Sequence, residues 1–155
     1  MSVKSIPDGY HTVTPYLTIK GANDAISFYQ KAFGAEQTLL MSMPDGSVAH
    51  AEVKIGDSFV MLTEEQAEMG FKGPKTLGGA SASLMIYCEN VDEFYQNAID
   101  SGCKEIRPVI DQFYGDRAGT LEDPFGHVWT IATHTEDLTP EELNTRMQEF
   151  LASMS

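Results

Sequence analysis

Asn23-Asp-Ala-Ile-Ser-Phe-Tyr-Gln-Lys-Ala-Phe-Gly34 and Asn90-Val-Asp-Glu-Phe-Tyr-Gln-Asn-Ala-Ile-Asp-Ser-Gly102 are two versions of one segment, and their kinship decides the fold. In the first, Ile26, Tyr29 and Phe33 make an apolar helical stripe, Asn23 stands as N-cap, and Gly34 is a stop. In the second, Asn90 with Glu93 is a capping-box variant. Phe94, Ala98 and Ile99 supply its stripe, and Gly102 ends it. Landmarks recur beyond the helices: Phe28-Tyr29 is 66 residues from Phe94-Tyr95, Gly34 is 68 from Gly102, and Gly56 is 70 from Gly126. A near-constant offset sustained over helix and strand indicates internal duplication.

Outward from each helix the chain reads as strands. Thr12 to Lys20 is predicted as the first, with Val13, Leu17 and Ile19 toward a helix and Thr12, Thr14, Tyr16 and Thr18 on the other face. Pro15 within it marks an edge or a bulge. Strands at Glu36–Met41, Val48–Ile55 and Ser58–Thr63 follow, separated by Pro44-Asp45-Gly46 and Gly56-Asp57. The second half runs Ala82–Glu89, helix, Glu105–Asp111, Arg117–Glu122 and His127–Thr133. In Ala82–Glu89, Ser83, Met85 and Tyr87 share one face; Leu84, Ile86 and Cys88 share the other. The expected class is α+β: two tandem β-α-β-β-β modules at residues 7–64 and 82–134, joined by a Gly-rich linker at 65–81 with room for a short helical piece. A C-terminal amphipathic helix at 138–153 is announced by Thr139-Pro140-Glu141-Glu142 and a Leu143, Met147, Phe150, Leu151 stripe.

The 155 residues carry 10 Lys and Arg against 23 Asp and Glu, a net charge of −13. So few cations argue against nucleic acid or an anionic membrane surface as partner. Cys88 and Cys103 fit free, buried thiols, and no signal-peptide pattern opens the chain. A cytoplasmic protein is expected.

His50 and Glu52 alternate with Ala51 and Val53 on a predicted strand, so both point one way and form the nearest approach to an acid-base or ligand pair. The plain alternative is a solvated sheet face. His127 reads as a strand cap or a solvent-facing residue, and His134 shares parity with Thr130. Trp129 and Ile131 take the opposite, core-facing parity. Tyr114-Gly-Asp-Arg117 is a polar cluster in which Arg117 either clamps an anionic ligand or braces the loop against an Asp.

Thr14-Pro-Tyr-Leu-Thr-Ile-Lys20, Ala51-Glu-Val-Lys-Ile-Gly-Asp-Ser-Phe-Val-Met-Leu62 and Leu121-Glu-Asp-Pro-Phe-Gly-His-Val-Trp-Thr-Ile-Ala-Thr-His134, with the duplication, resemble the vicinal oxygen chelate superfamily of glyoxalases, bleomycin and fosfomycin resistance proteins and dioxygenases. The last segment and Tyr114-Gly-Asp-Arg117 are similar to its PhnB-like branch. The resemblance implies a half-barrel cleft, a homodimer and a small-molecule ligand. It also implies a divalent metal held by His and Glu at four strand positions. Those positions fall here on Thr14, Val60, Ser83 and Thr130, with no imidazole or carboxylate. The expectation is therefore a ligand-binding cleft without the usual metal, lined by Thr14, Tyr16, Thr18, His50, Glu52, Val60, Ser83, Met85, Tyr87, Tyr114, Arg117 and Thr130. Sequestration, or modest acid-base chemistry by His50, Glu52, Tyr16 and Tyr87, would be its action. The alternative is a metal-dependent lyase, isomerase or dioxygenase of glyoxalase type.

Overall fold

Pro15 shortens the first strand. In a computed structural model that describes residues 2–155, β1 covers only Tyr16–Ile19. Val13, expected beneath a helix, lies before the strand and is 84% exposed. The chain then runs α1 (Ala22–Phe33), β2 (Glu36–Ser42), β3 (Val48–Ile55) and β4 (Ser58–Glu64). β5 (Ser83–Tyr87), α3 (Val91–Ser101), β6 (Lys104–Asp111), β7 (Asp116–Glu122) and β8 (Val128–His134) repeat the order. The connecting stretch holds one 3-10 turn at Ala67–Met69 and the short α2 at Pro74–Leu77. The helix α4 (Pro140–Ser153) closes the chain.

The residues group into two units. Unit 1 comprises residues 2–81 and 124–127; unit 2 comprises 82–123 and 128–155. Unit 1 has a four-stranded sheet in the order β1-β4-β3-β2, with β1 parallel to β4 and the rest antiparallel. Unit 2 repeats this as β5-β8-β7-β6, with β5 parallel to β8. The fold is thus α+β, two β-α-β-β-β modules and a C-terminal helix.

In unit 1, alternation assigns the faces. Ala51, Val53, Val60 and Leu62 are buried on the side of α1, where Ile26, Tyr29 and Phe33 meet them. Phe125, from the 124–127 segment, adds edge-on contacts to Phe28 (6.0 Å) and Tyr29 (6.3 Å). α1 begins one residue before the expected cap. Its N-cap is Gly21 in the left-handed region (φ +92°), and Asn23 is an ordinary helical residue whose amide reaches the Gly46 carbonyl instead. The capping is done from a strand: the Glu64 carboxylate accepts from Gly21 N (2.9 Å) and Ala22 N (2.7 Å).

In unit 2, α3 is capped as its sequence predicts, Asn90 Oδ1 accepting from Glu93 N at 3.2 Å. Its buried residues are Val91, Tyr95 and Ala98; Phe94 and Ile99 are only half-buried. Tyr95 takes the central place because its hydroxyl can donate to the Arg107 carbonyl (3.0 Å). Trp129 and Ile131 are core, and the Trp129 indole donates to the buried Asp123 carboxylate at 2.9 Å. Both cysteines are free, Cys103 buried and Cys88 half-buried. α4 has the full capping box of Thr139 and Glu142, yet no residue of it is buried. Phe150 of its stripe stacks on Phe113 (5.0 Å), and Arg146 pairs with Glu136.

Candidate functional site

The face of the unit 1 sheet away from α1 carries the polar constellation. Strand pairing places β1 Tyr16 beside Met61, Met61 beside Glu52, and Glu52 beside Leu39; His50 pairs with Met41. Cross-strand partners project from the same face, so a His–Glu pair sits among a tyrosine, two methionines and a leucine. Tyr16, Leu39 and Met41 are exposed, and His50 and Glu52 are half-buried.

Four side chains there form one hydrogen-bonded chain. The Tyr16 hydroxyl lies 2.7 Å from His50 Nδ1. His50 Nε2 lies 3.1 Å from Glu52 Oε1, and the Tyr10 hydroxyl donates to Glu52 Oε2. Two donors on one carboxylate favour its charged form, so Glu52 is held below the usual carboxylate range, by Tyr10 first and then by His50. Burial, followed by the neighbouring Glu52, pushes Tyr10 up to about 12, which keeps the phenol a donor.

Unit 2 carries a different cluster on its corresponding face. Asp116, 5% exposed, accepts from the Tyr87 hydroxyl (2.9 Å) and faces His134 Nδ1 (2.8 Å). His134 Nε2 reaches Asp137 at 2.9 Å. Asp137 and then Asp116 raise the His134 pKa above its ordinary value; the Asp116 hydrogen bond raises that of Tyr87.

Of the residues expected to line one site, Tyr16, His50 and Glu52 are brought into contact. Thr18 is half-buried and pairs with Thr63. Thr14 lies before β1, its hydroxyl turned to the His11 carbonyl (3.4 Å). Ser83, Met85 and Tyr87 are exposed on β5, and the Thr130 hydroxyl meets that of Thr120 (3.1 Å). Tyr114 is 39% exposed, and Arg117 is bound to Asp92 (2.7 Å) and Asp111 (3.3 Å), so it braces its own unit.

Val60 is a correction: it is 4% exposed and lies opposite Val53 in the core. The β3–β4 turn is Gly56-Asp57, whereas β7–β8 spans residues 123–127, so counting from the glycine lands on opposite faces in the two units. The β4 residue that corresponds to Thr130 is Met61, which pairs with Tyr16 as Thr130 pairs with Met85. His127 is also corrected: it is 8% exposed, with Nε2 3.2 Å from the Thr18 carbonyl. Sequence reading missed Tyr10, which has no periodic context, passed over Met61, and named Asp116 only as part of a polar cluster.

Thr14, Ser83 and Thr130 offer only hydroxyls where the resemblance implied a metal, and with Val60 corrected the fourth position falls on Met61. Among the described residues, no group of three or more His, Cys, Asp or Glu is arranged to hold a metal ion.

The two repeated β-α-β-β-β modules have counterparts. The Glyoxalase/Bleomycin resistance protein/Dioxygenase superfamily matches residues 10–131, and this chain belongs to it. The uncharacterised protein Rv0887c of Mycobacterium tuberculosis is 33% identical, over 87% of this chain and 81% of its own length. Among solved structures, PA1353 from Pseudomonas aeruginosa superposes with a TM-score of 0.67 at 18% identity, covering 81% of this chain and 99% of that one. The PhnB protein from Bacillus cereus gives 0.62 at 19% identity, covering 79% and 99%. These two likenesses concern the fold.

Proposed function

We propose that this chain, as a PhnB-like member of its superfamily, binds a small molecule on the open face of the unit 1 sheet. It does so by direct hydrogen bonds to Tyr16 and Glu52, with His50 linking the two, rather than through a divalent metal. The observation that carries this reading is the chain Tyr16–His50–Glu52–Tyr10. Both His50 ring nitrogens already face protein partners, and the carboxylate is held charged on a rigid strand. Such a pair can accept, donate or relay a proton to a bound molecule. The apolar body of that molecule would lie on Met61, Met41 and Leu39. Thr14, Ser83 and Thr130 offer only hydroxyl oxygen, a poor donor set for a catalytic transition metal.

The test is a fragment titration of isotope-labelled protein followed by NMR, first in excess EDTA and then in excess Mn²⁺. The reading expects shifts centred on Tyr16, His50 and Glu52 that EDTA leaves intact and that His50→Ala and Glu52→Gln remove. Binding or turnover that requires Mn²⁺ would overturn it in favour of the metal-dependent lyase, isomerase or dioxygenase. The same reading includes a cytoplasmic homodimer, in which Met147 and Leu151 of α4 would be covered; both are exposed here. Sedimentation at a monomer mass would remove that part. Among the described residues, no helix is long and apolar enough to cross a membrane.

A further inference from the structure

Tyr10 differs in origin from the groups it touches. Tyr16, His50, Glu52 and Phe59 all stand on strands, but Tyr10 comes from residues 2–15, which form neither helix nor strand. Hydrogen bonds inside this arm are local: Tyr10 N to the Pro7 carbonyl (3.1 Å) and the Thr14 hydroxyl to the His11 carbonyl (3.4 Å). The arm joins the sheet at its end, where the Pro15 carbonyl accepts from Met61 N (2.9 Å). Ahead of that point, Tyr10 ties it down.

The contact has two parts. The Tyr10 ring stacks on Phe59 with centroids 4.2 Å apart and planes 15° from parallel. Its hydroxyl donates to Glu52 Oε2. The backbone follows closely, since a Cβ on Gly9 would come within 2.9 Å of the Phe59 ring. A free phenol would be held by the same two features, a parallel aromatic face and a carboxylate placed to accept its hydrogen bond. The sheet supplies both; the arm supplies only the occupant.

We propose that Tyr10 is a displaceable internal occupant of a phenol site, and that the external ligand is an uncharged aromatic hydroxyl compound. It would take the ring position on Phe59 and the hydrogen bond to Glu52. This rests on the function proposed above and names its ligand class. Because a tethered group competes as if at high local concentration, the intact chain masks the site, and release of the arm accompanies binding.

The probe is para-cresol, the tyrosine side chain as a free molecule, with toluene as the control lacking the hydroxyl. Tyr10→Ala is expected to bind para-cresol at least about tenfold tighter than the parent chain, the factor set by a site open less than a tenth of the time. Toluene should bind neither form measurably, and adding Glu52→Gln to Tyr10→Ala should abolish the gain. In the parent chain, saturating para-cresol should speed amide exchange at Gly9 and Tyr10; this measurement decides the matter if Tyr10→Ala fails to fold. Equal para-cresol affinity in both forms, equal binding of toluene, or an arm whose exchange stays unchanged at saturation would each overturn the proposal. If other fragments still shift His50 and Glu52 while para-cresol fails, the phenol site falls and the binding function stands. If nothing reaches His50 or Glu52, both fall.

Discussion

The Tyr16 hydroxyl sits 2.7 Å from Nδ1 of His50, a residue 34 positions further along the chain. Glu52 is charged and can only accept, so His50 Nε2 carries the proton toward it and Nδ1 accepts from Tyr16. In the uncharged ring this geometry selects one tautomer, with the phenol as the accessible end of the relay.

Tyr16→Phe removes that donor without removing the ring. The expected loss of stability is about 0.5–1.5 kcal/mol, as for one hydrogen bond at a half-open site. Nitrogen-15 shifts of the His50 ring should show a protonated Nε2 in both proteins and a moved Nδ1 resonance in the variant, which has lost the donor to that atom. Unchanged ring shifts would refute the assignment.

Glu64→Ala leaves Gly21 N and Ala22 N at the start of α1 without their carboxylate. Loss of a helix cap of this kind costs about 1–2 kcal/mol. Urea unfolding followed by circular dichroism measures it, and Asn23→Ala should cost clearly less, because Asn23 does not cap.

His134 has a folded pKa above its ordinary value of 6.5 through Asp137 and Asp116. A raised folded pKa contributes stability that is fully present below the unfolded value and is lost as pH rises through the folded one. Stability of the parent chain should therefore decline from slightly acid pH upward relative to His134→Asn. Urea midpoints of the two proteins across that window should converge at alkaline pH. Glu52 runs the other way: its depressed pKa contributes above the ordinary carboxylate range and is lost as pH falls through the folded value. Tyr10→Phe should shrink that acid-side loss.

Gly115 has φ +94°, and a Cβ there would meet the Glu136 carbonyl oxygen. Its own carbonyl accepts from Thr135 N (2.9 Å), the Thr135 hydroxyl (2.9 Å) and Glu136 N (3.0 Å), which tie the approach to α4. Gly115→Ala should cost at least about 2 kcal/mol, combining left-handed strain with displacement of that segment. Proteolysis between Thr135 and Thr139 should accelerate; an unchanged cleavage rate would contradict it.

Much of the molecule is written in local pattern. Strict alternation through His50–Ile55 put Ala51 and Val53 in the core and His50 with Glu52 on the opposite face, because the strand period is two and the helix covers one side only. The caps of α3 and α4 were legible because each acts within four residues. The duplication itself follows from the spacing of Phe-Tyr and Gly pairs, and with it the two sheets of equal strand order.

Tertiary structure decided what spacing could not. The α1 cap is Glu64, more than forty residues from Gly21, and no local rule favours it over Asn23. Val60 went to the core because the two halves differ in hairpin length between their last two strands, and a strand shifted by an odd number of residues exchanges its faces. Asp116 and His134 meet because their strands pair there, with Tyr87 reaching the same carboxylate. The sequence by itself determined the repeated module, its helices and the His50–Glu52 pair, since these depend on neighbours a few residues apart. Only the tertiary structure laid Tyr10 on Phe59 and Glu52, because an arm without periodicity carries no signal of where it will dock.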